Sequence, residues 1–447
     1  MGGTTSDELI EGLARAMSRA GLSPVTGLAR LTGGATMESW RFEAGGDGFV
    51  LRRAPSLEFM ADRPFGHGVE AAVIRAARAA GVTAPEVIVE LEPDDGIGSG
   101  FVMRALPGTP DPKQILAMEE PGRLLSECAA NLARIHSLKP GDVPDAVPVM
   151  DYRQAIADLR QQFEEAGGDR PIIALGLKWM EDNCLDRVEP VLIHGDYRMG
   201  NLLAEDGWLT GVLDWELAHF GDYHEDLAFG CMAVWRFARY DRPALGLGSL
   251  ETYFDAYQVN GGRPLDRKRF RYWLIHRTVW WALGCLKMAD QWRSGADRML
   301  ERTVISRRTS EQELDLLMLL EEDAPDEERA KPVDVPRDFI AHGEASSGEL
   351  ANAISEWLAT IKHRLEGHDR FQLAVARNAL SMIARNDQLM PQHEDLQLAD
   401  AIFAGEVSLS SSGLLTKLRQ RALDKLSVDV PKYPALAAAR KEWTGES

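Results

Sequence analysis

Residues 191–226 read VLIHGDYRMGNLLAEDGWLTGVLDWELAHFGDYHED, and this stretch decides the fold class. Val191, Leu192 and Ile193 suit a short buried strand, and Leu202, Leu203 and the run 209–213 supply further strand signals. The Asp206-Gly207 pair between them predicts a hairpin turn. The polar residues then fall at strand ends. Asp196 stands five residues before Asn201, and Asp214 follows thirteen residues after Asn201, at the end of the next apolar run. Two carboxylates and an amide delivered by adjacent strand ends make an oxygen-rich cluster, which suits a hard octahedral cation such as Mg²⁺ that keeps waters and phosphate oxygens. Phosphoryl transfer uses such parts: one Asp accepts the proton of the attacking hydroxyl, while an Asn and a second Asp hold the metal.

HGDYRMGN (194–201) followed by GVLDWELAHFGD (211–222) resembles the aminoglycoside phosphotransferase family, protein-kinase-like enzymes that phosphorylate the hydroxyls of small molecules. The resemblance covers roughly residues 25–320 and implies an α+β, bilobal protein-kinase-like fold, with a small β-rich N-lobe and a helical C-lobe, followed here by a small all-α domain. The expected boundaries are an N-terminal helix over 1–24, the N-lobe over 25–106, the C-lobe with the catalytic loop over 107–322, a linker over 323–342 and the helical domain over 343–447.

The same resemblance assigns roles. Asp196 is the expected catalytic residue, with Arg198 neutralising γ-phosphate charge, Asn201 and Asp214 holding Mg²⁺, and His194 and Asp226 supporting the loop. In LTGGATMESWRFE (31–43), Gly33 and Gly34 would lie over the nucleotide phosphates. In FVLRRAP (49–55) the family pattern has a Lys for the α- and β-phosphates; this chain offers Arg52 or Arg53 on opposite strand faces, and alignment selects Arg52, paired with Glu70 on the following helix. GFVMRALPG (100–108) ends a strand, and Met103, Arg104 and Leu106 would be the hinge against the adenine of ATP.

Composition narrows the alternatives. The 447 residues exceed what one core usually serves, so two or three domains are expected. A net charge of -19 argues against nucleic acid and would suit a polycationic acceptor better than a coenzyme A ester. Residues 343–447 carry 12 basic and 14 acidic side chains, so the acidity belongs to the kinase-like part. Cys128, Cys184, Cys231 and Cys285 are widely spaced, which predicts no disulfide framework and a reducing cytoplasm. No apolar run approaches a membrane span.

Periodicity predicts helices on either side of the loop. The first has Leu9, Ile10, Leu13, Ala14 and Met17 on its apolar face after a Thr5/Glu8 capping box. A helix over 119–138 ends at His136, read as structural. A helix over 270–292 carries Trp273, Trp280, Trp281 and Trp292, read as core. EEDAPDEERAKPVDVPRD (321–338) reads as linker, and beyond it Leu350, Ile354, Trp357, Leu358, Ile361 and Leu365 form one helical stripe.

Within the family, HGDYRMGN with LDWELAHFGD and an LRR strand resembles the branch of hydroxyacyl-CoA kinases associated with acyl-CoA dehydrogenases, and FQLAVARNALSMIAR (371–385) is similar to a helical accessory protein found beside them. The implied activity is transfer of the ATP γ-phosphate to a hydroxyacyl-CoA such as a 4-hydroxyacyl-CoA, with an acyl-CoA dehydrogenase as a candidate partner. A kinase of aminoglycosides or other small alcohols is the first alternative, and a non-catalytic nucleotide-binding protein the second.

Overall fold

The computed structural model describes residues 6–31, 37–54, 60, 64–237, 239–297, 299–334, 347–386 and 395–445. Thr5, Gly33 and Gly34 lie outside them. The chain divides into two compact units, one of residues 1–150, 186–231 and 235–270, the other of 151–185, 232–234 and 271–447.

The first unit opens with α1 (Ser6–Arg19), β1 (Val25–Arg30), β2 (Glu38–Ala44), β3 (Asp47–Ala54), α2 (His67–Ala79), β4 (Val87–Glu90) and β5 (Ser99–Arg104). The strands form one antiparallel sheet in the order β1-β2-β3-β5-β4. Its core joins Leu9, Leu13 and Met17 of α1 to Phe42, Phe49, Leu51 and Val102 of the sheet. Ile10, expected on that face, is exposed; Ala16 is buried. Gly12 sets the helix this close, because a Cβ there would lie 2.5 Å from the Asp95 carbonyl. Truncating a fully buried leucine such as Leu13 to Ala costs ~2–5 kcal/mol.

Strand β3 alternates as expected. Arg53 turns to Glu38 (Nε–Oε2 2.8 Å) and the Ile97 carbonyl, while Arg52 turns to the other face. The unit continues with α3 (Pro112–Leu116) and α4 (Pro121–Ile135). After α5 (Tyr152–Glu165) and α6 (Pro171–Asp182) of the second unit, it resumes with β6 (Val191–Ile193), β7 (Leu202–Glu205), β8 (Trp208–Val212), β9 (His219–Gly221), α7 (His224–Phe229) and α8 (Leu250–Val259). The hairpin β7–β8 closes on Asp206 (φ 51°) and Gly207 (φ 77°), the doubly positive turn that matches strand twist. β6 pairs with β9 instead, so the residues after Ile193 and before His219 leave one small ladder side by side.

Helix α9 (Arg267–Ser294) begins in the first unit and runs on in the second, which adds α10 (Leu300–Ser306), α11 (Thr309–Leu320), α12 (Asp326–Arg329), α13 (Ser347–Ile361), α14 (Gly367–Asn386), α15 (Asp395–Phe403), α16 (Leu414–Asp429) and α17 (Pro434–Thr444). The stretch read as linker is structured as far as it is described: Glu321 accepts hydrogen bonds from Arg419 (2.8 Å) and Trp443 (3.1 Å), and the Val333 N–H donates to the Trp443 carbonyl. The stripe predicted on the next helix is split: Leu350, Ile354 and Trp357 are exposed and Leu358, Ile361 and Leu365 half-buried, while the fully buried positions of α13 are the small residues Gly348, Ala351 and Ser355.

Candidate active site

The loop after β6 is held by its backbone. Asp226 on α7 accepts the N–H of His194 (2.7 Å) and of Gly195 (2.9 Å), and His136 Nε2 reaches the same carboxylate at 3.3 Å. Burial raises the Asp226 pKa, but the His136 hydrogen bond and the His194 N–H outweigh it and hold the carboxyl below its usual range. Gly195 has φ 81°, and a Cβ on it would stand 2.5 Å from the Leu217 carbonyl. Only glycine fits. Asp222, four residues from Asp226, serves elsewhere: it accepts from His224 (2.7 Å) and Arg269 (2.8 Å).

His194 ties the loop to the strand end across from it. Its Nε2 donates to the Leu213 carbonyl (3.0 Å) and its Nδ1 accepts the Asp196 N–H (3.2 Å), which fixes the neutral Nε2–H tautomer. Burial lowers its pKa, favouring the same form. Trp215 packs on it at 4.6 Å between ring centroids. On the far side the Leu213 N–H donates to the Asn201 carbonyl (2.8 Å), placing Asp214 next to Asn201.

Asp196 is therefore aimed by its neighbours. Asn201 Nδ2 donates to Asp196 Oδ2 (2.6 Å), and Arg198 spans both oxygens, Nε to Oδ1 at 2.7 Å and Nη2 to Oδ2 at 3.2 Å. Burial pushes the carboxyl up to about 6; Arg198 opposes this and the Asp214 charge adds to it. Asp214 itself adopts φ 68°, a left-handed conformation that Asp tolerates better than most residues but that is still a local cost. Arg52 lies among three carboxylates: Nε–Glu70 Oε1 3.0 Å, Nη2–Asp214 Oδ1 2.6 Å and Nη2–Glu216 Oε2 2.9 Å. Burial works against the Arg52 charge, but these acids hold it above its ordinary range. Glu70 is pushed up to about 7, chiefly by burial, against the pull of Arg52.

A model of the phosphotransferase enzyme family matches residues 27–264. The chain belongs to that family. A second model, of a domain of unknown function, matches residues 363–433. The mouse protein acyl-CoA dehydrogenase family member 10 (Mus musculus) is 29% identical over 49% of this chain and 22% of its own length, so the chain spans about a fifth of that relative. A crystal structure from Ralstonia eutropha described as an aminoglycoside phosphotransferase superposes with a TM-score of 0.56 at 18% identity, covering 69% of this chain and 97% of that one. A thermostable aminoglycoside phosphotransferase solved with AMP-PNP and hygromycin B gives 0.48 at 17% identity, over 69% and 99%. The fold is kinase-like: an N-terminal antiparallel sheet, a helical C-terminal part and further C-terminal helices.

In this phosphotransferase the structure brings Arg52, Glu70, His194, Asp196, Arg198, Asn201, Asp214 and Asp226 into one network. In the 103–106 segment two backbone donors are already engaged within the sheet and its flanks. The N–H groups of Arg104 and Ala105 donate to Glu86 and Gly48, and the Arg104 side chain pairs with Asp47 and Glu86. Two participants escaped the sequence reading. Glu216 lies two residues beyond Asp214, a spacing that could have flagged it; Trp235, whose ring lies 4.1 Å from the Arg198 guanidinium, carries no local signal. His136, read as structural, reaches the Asp226 carboxylate, a partner that its place in the sequence does not reveal. Among the described residues no group of three or more His, Cys, Asp or Glu could hold a metal ion. Mg²⁺ that keeps waters and phosphate oxygens needs only one or two protein ligands. Nor is any described helix long and apolar enough to cross a membrane.

Proposed function

We propose that this phosphotransferase moves the γ-phosphate of ATP directly to the hydroxyl of a small molecule, a hydroxyacyl-CoA such as a 4-hydroxyacyl-CoA being the favoured acceptor. The observation that carries the reading is Asp196, clamped by Asn201 and Arg198 beside Asp214, with its pKa near 6. A base poised near the working pH accepts the hydroxyl proton without holding a proton of its own.

Each remaining residue has a part. Asn201 gives its amide N–H to Asp196, which leaves its carbonyl oxygen, with Asp214, to hold Mg²⁺. Bound there, Mg²⁺ would neutralise phosphate charge as it moves to the leaving group. Arg52, fixed by Glu70, holds the α- and β-phosphates; Arg198 meets the transferred group; Met103 and Leu106 flank the adenine. Asp226 and His194 keep the loop in shape. No covalent intermediate is required.

The coenzyme A ester is supported by the likeness to a relative whose name is acyl-CoA dehydrogenase family member 10, and an acyl-CoA dehydrogenase is the partner this suggests. The net charge of -19 supports a second reading, a polycationic aminoglycoside or another small alcohol. Four free cysteines support a cytoplasmic setting. The test is Mg²⁺-dependent ADP release with a 4-hydroxyacyl-CoA, a 3-hydroxyacyl-CoA and an aminoglycoside, with Asp196→Ala as control. A phosphorylated hydroxyacyl-CoA supports the first reading. Turnover of the aminoglycoside alone replaces it, and equal activity of Asp196→Ala removes Asp196 from the mechanism.

A further inference from the structure

We infer that the strap formed by Trp235–Phe237 and Arg239–Arg242 recognises the acceptor and selects a phosphate-bearing anion of the coenzyme A class over a polycation; this rests on reading Asp196 as the base. The strap starts at the base itself. Arg198, which spans both oxygens of Asp196, lays its guanidinium over Trp235 at 4.1 Å, and Trp235 is held in turn by stacking on Phe229 (6.4 Å, 16°). A molecule whose hydroxyl reaches Asp196 therefore has this segment close by.

Its chemistry runs against the rest of the chain. Within a protein of net charge -19, residues 235–242 carry Arg236, Arg239 and Arg242 against the single acid Asp241. The three arginines are three residues apart, and the Arg239 N–H donates to the Arg236 carbonyl (3.0 Å) and the Arg242 N–H to the Arg239 carbonyl (3.1 Å). Two of them share one carboxylate: Arg239 reaches both oxygens of Asp241 at 3.2 Å and Arg242 stands at 3.7 Å. That carboxylate is exposed, and such solvated pairs contribute little, so a phosphate can take over both guanidinia with shorter, bidentate hydrogen bonds. Arg236 is kept in place by the Cys231 carbonyl (3.0 Å) and the Tyr240 ring (5.4 Å). Phe237 and Tyr240 expose 37% and 41% of their surface, offering faces on which an adenine can stack. An aminoglycoside would meet like charge here. The global acidity and the local strap thus favour opposite acceptors, and screening favours the local one: at 0.15 M salt a charge is screened beyond about 8 Å, so a group lying on the strap meets its arginines and not the acids spread over the chain.

The strap is tested by comparing kcat/KM for a 4-hydroxyacyl-CoA with that for the N-acetylcysteamine thioester of the same acyl group, which lacks every phosphate and the adenine. Wild type should prefer the coenzyme A ester by about tenfold or more, and Arg239→Ala/Arg242→Ala, with Trp235 and the clamp untouched, should bring the ratio close to one. A double variant that melts like wild type yet keeps the preference overturns the inference. Calorimetric binding of coenzyme A itself separates the strap from the acceptor reading. Binding weakened about tenfold in the double variant supports the strap even where no hydroxyacyl-CoA is turned over. Equal affinity in both proteins, or no binding to wild type, overturns it.

Discussion

Asp196 and Glu70 are carboxyls whose burial exceeds what their partners return, and both make pH a probe of the site. With Asp196 near 6, kcat/KM should fall about tenfold per pH unit below pH 6 and level off above it, since the carboxylate is the working form. Asp196→Asn should lower kcat by about 10²–10⁴-fold and leave nucleotide affinity within a few-fold, measured by steady-state kinetics and a nucleotide titration. The stability effect has the opposite slope. Unfolded Glu titrates near about 4.3, whereas Glu70 in the folded chain retains its proton up to about 7. The folded state therefore binds the extra proton between those values, and the stabilisation is lost as pH rises through them. Glu70→Gln should flatten the decline of Tm between pH 5 and 8; an unchanged slope would show that Arg52 keeps Glu70 ionised throughout, against the charges of Asp214 and Glu216.

At the scale of elements, the site is a meeting of strand ends. β6 and β9 form one ladder and β7 and β8 another; the Leu213 N–H to Asn201 carbonyl bond extends the second, and the His194 side chain joins the two by donating to the Leu213 carbonyl. Gly195 is where this construction is least forgiving, because the positive φ and the Leu217 carbonyl both exclude a side chain. Gly195→Ala should cost ~1–3 kcal/mol from backbone strain alone and reduce turnover further by shifting the loop N–H groups that donate to Asp226. Differential scanning calorimetry and kcat measured on the same sample would show the two losses together. The hairpin turn at Asp206 and Gly207 was readable from two letters, since each residue acts on its own backbone. The orientation of α13 was not. Its period announces an apolar stripe, but the small residues Gly348, Ala351 and Ser355 are the buried ones, and the Ser355 carbonyl accepts from Arg377 of α14 (3.0 Å).

At the scale of the molecule, the C-terminal helices are built into the second unit by charge as well as by apolar packing. α11 buries Glu311, Glu313 and Asp315 together with Leu314 and Leu317; Arg308 answers Glu311, and Tyr433 of the segment before α17 binds Asp315. Asp429 at the end of α16 is buried between Arg307 and Lys425. Removing the partner of a fully buried charge costs ~3–5 kcal/mol; Arg307 and Lys425 are each about a third exposed, and solvent would screen part of the charge that loss of Asp429 leaves on them. Asp429→Ala should lower Tm by several degrees. A chain ending at Asp334 should aggregate, as size-exclusion chromatography would show, because α11 loses what covers it; a monodisperse truncated protein with wild-type Tm would mean the tail is an independent appendage.

The sequence by itself determined what spacing encodes. Asp196, Asn201 and Asp214 stand at fixed intervals in one stretch, the alternation of β3 put Arg52 and Arg53 on opposite faces, and the family followed from those letters. Tertiary structure alone decided the partnerships that join distant parts of the chain: His136 with Asp226 across 90 residues, Arg52 with Glu216 across 164, and Arg198 with Trp235. The physical reason is the same in each case. Short-range pattern is set by backbone geometry and period, whereas the charge that a buried group meets depends on which remote side chains folding brings within about 4 Å of it, and no local pattern carries that information.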